Sequence, residues 1–440
     1  MNKYLYPFCF FLVSVSVTAQ EKTLKLSLKE AINYALENSY NAKAAKNDIS
    51  SAKEKVWETT TIGLPQIDGK IDYQNALKRQ FPGVDFDQDG IIDFNARHSA
   101  NAGLTLRQLI FDGSYLVGLQ ASKTFLKISE QAKEKTELLT REAVINAYGN
   151  VLVTENSIKI LEGNIKILQK NYNDAKKIYE NGLNEEEDVE QLEITLGNLK
   201  SQLNSVIRMK AIGYQMLNLA LGNPINTKLI LTDSLDSLAV NNINLNLVST
   251  DFNHSNHIDF KIAENDRESK RLLMRLEQSK ALPTLSAFVN YNYIANSETF
   301  TFFDNSQQWI NTSVLGVSLN VPIFSSLGRI AKTTQAKIAL ETADLRLEET
   351  KQRLALQAEK SKSDYQSSID NYNTAKRNVA LAERIEKKQR IKFFEGISTS
   401  FDLLQAQNQL YTQQQNYIQS MLSVIAKKAA LENALNLPIK

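Results

Sequence analysis

Residues 282–293 read Leu282-Pro283-Thr284-Leu285-Ser286-Ala287-Phe288-Val289-Asn290-Tyr291-Asn292-Tyr293. Side chains in an extended strand point alternately to two faces. Leu285, Ala287, Val289, Tyr291 and Tyr293 therefore share one face, opposite Ser286, Asn290 and Asn292. Three other runs alternate in the same way. Ile67, Ile71 and Tyr73 oppose Asp68, Lys70, Asp72 and Gln74; Leu104 and Leu106 oppose Thr105 and Arg107; Leu315, Val317, Leu319 and Val321 oppose Gly316, Ser318 and Asn320. Strands are predicted at about 66–76, 99–110, 284–295 and 310–322, near the length of a tilted membrane strand. The alternation alone also suits a soluble sheet with one wet face.

Outward from these strands the chain becomes helical. The prolines are Pro7, Pro65, Pro82, Pro224, Pro283, Pro322 and Pro438, which leaves 83–223 and 323–437 free of them. Proline breaks helix interiors, so both spans are open to long helices. Leu161, Ile165, Leu168, Tyr172, Ala175 and Tyr179 recur at steps of four and three, as do Val189, Leu192, Leu196, Leu199, Leu203 and Val206. Tyr365, Ile369, Tyr372 and Val379 keep the same register, the seam of a coiled coil. Each span breaks once near glycine, at Glu180-Asn181-Gly182-Leu183-Asn184 and at Glu395-Gly396-Ile397-Ser398-Thr399-Ser400. Gly past a helix end followed by polar residues is a stop and a restart. Each span then folds as a helix of about 65 residues and a returning one of about 36, the longer arm reaching ~100 Å.

The two halves repeat each other. Leu64-Pro65-Gln66-Ile67 matches Leu282-Pro283-Thr284-Leu285, and Gly103-Leu104-Thr105-Leu106 with Ile110-Phe111 matches Gly316-Val317-Ser318-Leu319 with Ile323-Phe324. Gly182 with Asp188 matches Gly396 with Asp402, and Ala220-Leu221-Gly222-Asn223-Pro224 matches Ala434-Leu435-Asn436-Leu437-Pro438. Landmarks in one order at a nearly constant offset indicate duplication. Repeat 1 is assigned to 20–235 with its hairpin tip near 181–185, and repeat 2 to 236–440 with its tip near 396–400.

The first residues read differently. Lys3 precedes the apolar run from Phe8 to Val17, and Val17-Thr18-Ala19 is a small-residue cleavage site, so 1–19 is expected to be a signal peptide. The single cysteine, Cys9, falls inside it, which leaves the mature chain without disulfide or thiol chemistry. Lys+Arg number 51 against 49 Asp+Glu, a balance that does not mark a nucleic-acid binder. There is no phosphate loop, no Gly-x-Ser-x-Gly and no Cys nucleophile, so no enzyme is expected. His254 and His257 lack a third ligand and read as ordinary histidines. Trp57 is expected in the core and Trp309 at a membrane interface.

Four strands cannot close a barrel, and open edges cannot sit in lipid. Known membrane barrels begin at about eight strands. Copies of the chain must therefore share one barrel, and three copies give twelve strands with polar residues lining the pore. The expected fold is an α+β membrane protein: a trimeric 12-stranded β-barrel, four strands per protomer, continuous with a long α-helical coiled-coil barrel.

One loop carries a separate signal. Asp85-Phe86-Asp87-Gln88-Asp89-Gly90-Ile91-Ile92-Asp93 places Asp85, Asp87, Asp89 and Asp93 at positions 1, 3, 5 and 9 of an EF-hand-type calcium loop, with Gly90 at position 6. Position 12 is Ala96, so any calcium (Ca2+) binding is expected to be weak. The same residues suit a solvated Asp-rich turn. No other cofactor is expected.

The Leu-Pro strand entries, the Ile-Phe switches at 110–111 and 323–324, the tip segments Gly182 to Gln191 and Gly396 to Gln405, and the opening Leu26-Ser27-Leu28-Lys29-Glu30-Ala31 resemble the outer-membrane efflux proteins typified by TolC. The resemblance covers the whole mature chain. It implies a homotrimer in the outer membrane of a Gram-negative bacterium, reaching into the periplasm. It further implies docking of the tips on a periplasmic adaptor and an inner-membrane transporter, and export of small toxic compounds. It places Asp188 and Asp402 at the periplasmic entrance, where copies of each would favour cations. A further entrance Asp of the family falls on Gln405, and the Tyr and Arg that lock its closed state fall on Phe393 and Ser398; neither can make the same links. The plainer reading of Asp188 and Asp402 is first-turn acids favoured by the helix dipole. Two alternatives to an efflux duct are a type I protein-secretion duct of the same fold and a soluble periplasmic coiled-coil adaptor or spacer.

Overall fold

A computed structural model describes residues 23–86, 88, 91–182 and 185–437. The signal peptide expected at 1–19 lies outside the described residues. β1 (Leu24–Leu26) and α1 (Leu28–Asn38) lead into α2 (Tyr40–Thr61), β2 (Gln66–Asn75), β3 (His98–Phe111), α3 (Gly113–Glu180) and α4 (Glu186–Leu221). β4 (Leu229–Leu231) and α5 (Leu235–Asn241) precede α6 (Ile258–Ser279), β5 (Thr284–Ser297), β6 (Ile310–Asn320), α7 (Gly328–Phe394) and α8 (Ser400–Ala434). The four long helices have 68, 36, 67 and 35 residues, as the proline-free spans predict. No helix among the described residues is long and apolar enough to cross a membrane.

The chain divides into two compact units, and each draws on both sequence repeats. One comprises the residues up to Tyr40, Thr140–Leu245 and Asp364–Ala429; the other comprises Asn41–Leu139, Asn246–Ser363 and the residues from Ala430.

The first unit is helical, with β1 and β4 as a short parallel pair. Its hairpins pack along the expected seam. Leu161, Leu168 and Ala175 of α3 meet Val189, Leu192, Leu196 and Leu199 of α4, with Phe393 and Leu403 in the same cluster. Along α7 the seam runs through Tyr365, Ile369 and Tyr372 and then through the small Ala375 and Ala382, while Val379 is only half-buried. Tyr148 and Tyr365, both fully buried, bind β1 and the segment that follows the first hairpin. The single proton of Tyr148 Oη is shared between Leu26 O at 3.1 Å and Asp233 Oδ2 at 3.1 Å. Tyr365 Oη donates to Asn242 O at 2.6 Å and accepts from Asn244 N at 2.8 Å. Burial pushes the Tyr148 hydroxyl far above its ordinary pKa, so it stays a donor.

The second unit holds the four-stranded antiparallel sheet, in the order β2-β3-β5-β6. β3 carries a bulge between Leu109 and Phe111. β6 ends at Asn320, short of the expected 322, because Pro322 has no N–H for the ladder. Trp57, expected in the core, is 58% exposed on α2; the helix buries only its alanines, Ala45 and Ala52.

Candidate functional site: the sheet faces and the helical tips

The register of the sheet fixes which side chains share a face. Tyr73, Ala100 and Ala295 are partners, as are Ile67, Leu106 and Val289. Leu285 pairs Leu319, Ala287 pairs Val317, and Val289 pairs Leu315. These residues form one continuous apolar face, and much of it is open: Ile71 is 84% exposed and Leu315 76%. At the end of β6, Ile323 and Phe324 are exposed as well. The opposite face brings Asp68 to Thr105 and Asn290, and Asp72 to Asn101, with Lys70 and Asp72 in an ion pair at 3.0 Å. Alternation predicts this segregation through most of the sheet; Ile294, Ile310 and Val314 nonetheless share the polar side, Asn311 and Ser313 the apolar one, and Phe288 also stands on the polar side. Its partner is Gly316, where an added Cβ would lie 2.3 Å from the Phe288 ring; the glycine leaves the room the ring fills. The outer edges of β2 and β6 have no strand partner among the described residues.

The tips belong to the first unit. Gly182 (φ +75°) and Gly396 (φ +71°) both adopt the left-handed conformation that ends α3 and α7. Leu183 and Asn184 lie outside the described residues. Gly182 N donates to Tyr179 O and Gly396 N to Phe393 O. Asp188 lies in the first turn of α4 with Glu186 and Glu187. Asp402 does a specific local task. Its carboxylate accepts from Thr399 N at 3.2 Å and Thr399 Oγ1 at 3.0 Å, while Thr399 Oγ1 accepts from Asp402 N at 3.3 Å. This is a capping box, so the plainer reading of Asp402 has a structural basis. The Thr-x-x-Asp spacing was the signal for it.

Gln191 joins the two tips. Its Nε2 donates to Glu187 at 2.9 Å and its Oε1 accepts from Ser400 Oγ at 3.1 Å. Phe393 is buried against the Val189, Leu192 and Leu403 cluster, where it makes an edge contact with Phe394. Ser398 Oγ reaches only Gln389 O, at 3.5 Å, and Gln405 is exposed.

Sequence reading missed Glu386. It is 6% exposed on α7, beside the buried Gln407 of α8. Burial outweighs the opposing pull of Arg390, whose Nε is 3.9 Å away, and of the neighbouring Gln407 side chain, and raises the Glu386 pKa. The seven-residue step from Tyr372 through Val379 to Phe393 passes through this position, and that register was the available signal.

Of the Asp-rich loop, Asp87, Asp89 and Gly90 lie outside the described residues. Asp85 accepts from Gln88 N at 2.7 Å and Asp93 from Phe86 N at 2.8 Å, so both carboxylates serve loop closure. No metal-holding group of three acids, histidines or cysteines occurs among the described residues. His254 packs edge-on against Phe260. His257 caps α6, accepting from Asp259 N at 3.1 Å, and burial lowers its pKa. Trp309 lies 6.1 Å from Phe302, ring to ring.

The family described as "Outer membrane efflux protein" matches residues 31–223 and 254–437. Among solved structures, CusC superposes with a TM-score of 0.76 at 17% identity, covering 96% of this chain and 95% of that one. The CmeC outer membrane channel of Campylobacter jejuni gives 0.74 at 17% identity, covering 93% and 85%. The outer membrane protein VceC of Vibrio cholerae gives 0.72 at 16% identity, covering 93% and 95%. No curated protein matches at a significant level.

Proposed function

The chain belongs to the outer membrane efflux protein family, and from that premise we propose that three copies build one twelve-stranded barrel as the exit of a tripartite export system. The observation that carries the trimer is the sheet itself. It has four strands, two outer edges without a strand partner among the described residues, and an open apolar face. In lipid every unpaired backbone group costs several kcal/mol, so β6 of one protomer pairs with β2 of the next until the ring closes. The apolar face then meets lipid, and the face carrying Asp68, Lys70 and Asp72 lines an aqueous passage. The protein catalyses nothing; it conducts. The tips are proposed to receive a periplasmic adaptor, which connects them to an inner-membrane transporter of small toxic compounds. Light scattering of the mature chain in mild detergent is expected to give three times the protomer mass. A stable monomer that needs no detergent would overturn the reading.

Asp188 and Asp402 are proposed to line the entrance as acidic rings. Asp402→Asn keeps a side-chain acceptor for the cap but removes the charge. It is expected to lower the cation preference of the reconstituted channel with little loss of stability, whereas Asp402→Ala also costs ~1 kcal/mol of cap. An unchanged reversal potential in both variants would leave Asp402 as a cap alone.

A further inference from the structure

The two loops at the far end of the sheet lie on opposite faces. The β5–β6 loop covers the apolar face. Phe302 is buried against Ala100 and Ala295, and the Tyr73 ring lies 5.5 Å from Phe300 and 5.8 Å from Phe302, edge-on to both. All three partners stand on the apolar side of the register.

The β2–β3 loop goes the other way. Asn296 pairs Ser99, which pairs Gln74, and this places Asn296 on the polar side. Its Nδ2 donates to Ile92 O at 3.0 Å. Two positions further on, Glu298 takes Arg79 in a two-pronged ion pair at 2.6 and 2.5 Å. Arg79 is only 16% exposed and also donates to Asn95 O at 2.8 Å. Gly83 N donates to Glu298 Oε1 at 3.2 Å. The approach is close: a Cβ at position 83 would lie 2.3 Å from Glu298 Oε1 and 2.6 Å from Ile92 Cγ2. Val84 and Phe94 form a bridge, so the loop folds as a small hairpin laid on the polar face.

We infer that the β2–β3 loop is an inward strap, clamped by Arg79 and Glu298 over the pore-lining face, that narrows the exit of the channel. The inference rests on the proposed trimeric barrel, because only there does the polar face become a lumen. A bidentate Arg–carboxylate pair fixes orientation as well as distance, and here it joins the loop of the first repeat to the second repeat's strand. Three such straps would narrow the passage for whatever leaves it.

The mature chain has no cysteine, so single thiols report cleanly. Phe86 is 73% exposed on the strap and Phe303 is 89% exposed on the loop covering the apolar face. Phe86→Cys and Phe303→Cys are each reconstituted in a planar bilayer and exposed to a bulky methanethiosulfonate from the extracellular side. Modification of Phe86→Cys is expected to cut conductance by roughly half or more, while Phe303→Cys conducts as before. Glu298→Gln, which weakens the clamp, is expected to raise unmodified conductance. Full conductance after labelling of Phe86→Cys, confirmed by mass, would overturn the strap, as would equal block in both variants. Absence of any channel from the unsubstituted trimer would instead remove the barrel reading on which the strap depends.

Discussion

Gly222→Ala is expected to remove most of the folded protein from the membrane fraction, the largest loss among alanine substitutions at the described glycines. Two costs combine at this position. Gly222 has φ +79°, a conformation that costs an L residue about 1–2 kcal/mol. The added Cβ would also lie 2.3 Å from Asn38 O and 2.7 Å from Ser39 Cα. Those neighbours are backbone, at the joint between α1 and α2, and cannot swing aside as a side chain would. Forcing such a site apart costs roughly 1–3 kcal/mol more. The total is a large share of a typical margin of about 5–15 kcal/mol.

The corresponding joint in the second repeat is built differently. Asn436 takes the place of the glycine at φ +50°. Its Nδ2 donates to Asn256 O at 3.1 Å and its Oδ1 accepts from Ile258 N at 3.3 Å. The first repeat thus closes its joint by backbone contact and the second by a side-chain bridge. Asn436→Ala should lose two hydrogen bonds, about 1–3 kcal/mol, and be the milder variant. Quantitative immunoblots of the protein in isolated outer membranes check both. Wild-type levels of Gly222→Ala would mean that the α1–α2 joint yields more easily than its geometry implies.

That pair of joints also marks how far the sequence could be read. Ala220-Leu221-Gly222-Asn223-Pro224 and its counterpart at 434–438 are visible as a repeat, and a helix stop at each follows from glycine, asparagine and proline chemistry. Which atoms each stop meets is a long-range fact. The strands and long helices were legible because their signals are local: a period of two, a seam of fours and threes, and proline-free spans. The room for the Phe288 ring on the polar face was not legible, because it comes from Gly316 on another strand. The exposure of Trp57 was misread from residue type alone. The cap at Asp402 was legible from Thr399-x-x-Asp402, yet a charged residue at a tip draws attention to entrance chemistry before helix ends. The strap over the polar face required the register of β3 against β5, which no periodicity supplies.

Glu386→Leu is expected to stabilise the protein, by about 1–4 kcal/mol if the site behaves as other buried charges replaced by apolar residues do. Glu386 lies on the α7 seam between Val379 and Phe393, where a side chain should be apolar. It is 6% exposed; Arg390 on its own helix is 3.9 Å away, and Tyr411 and Gln407 face it from α8. Desolvation raises its pKa despite Arg390; burial, and after it the Glu386 charge, raises the Tyr411 pKa as well. The sign follows. The folded state holds this proton to higher pH than the unfolded chain does, so stability is greatest below the unfolded carboxylate value and falls as pH rises through the folded one. Leucine removes that slope. The gain in Tm should therefore be larger at about pH 8 than at about pH 5, measured by circular dichroism of the protein in detergent. Glu386→Gln, which keeps the shape and drops the charge, should share the altered pH slope while keeping a buried polar group. An equal gain at both pH values, or a loss at the higher one, would mean that Arg390 compensates the carboxylate and that burial does not control it.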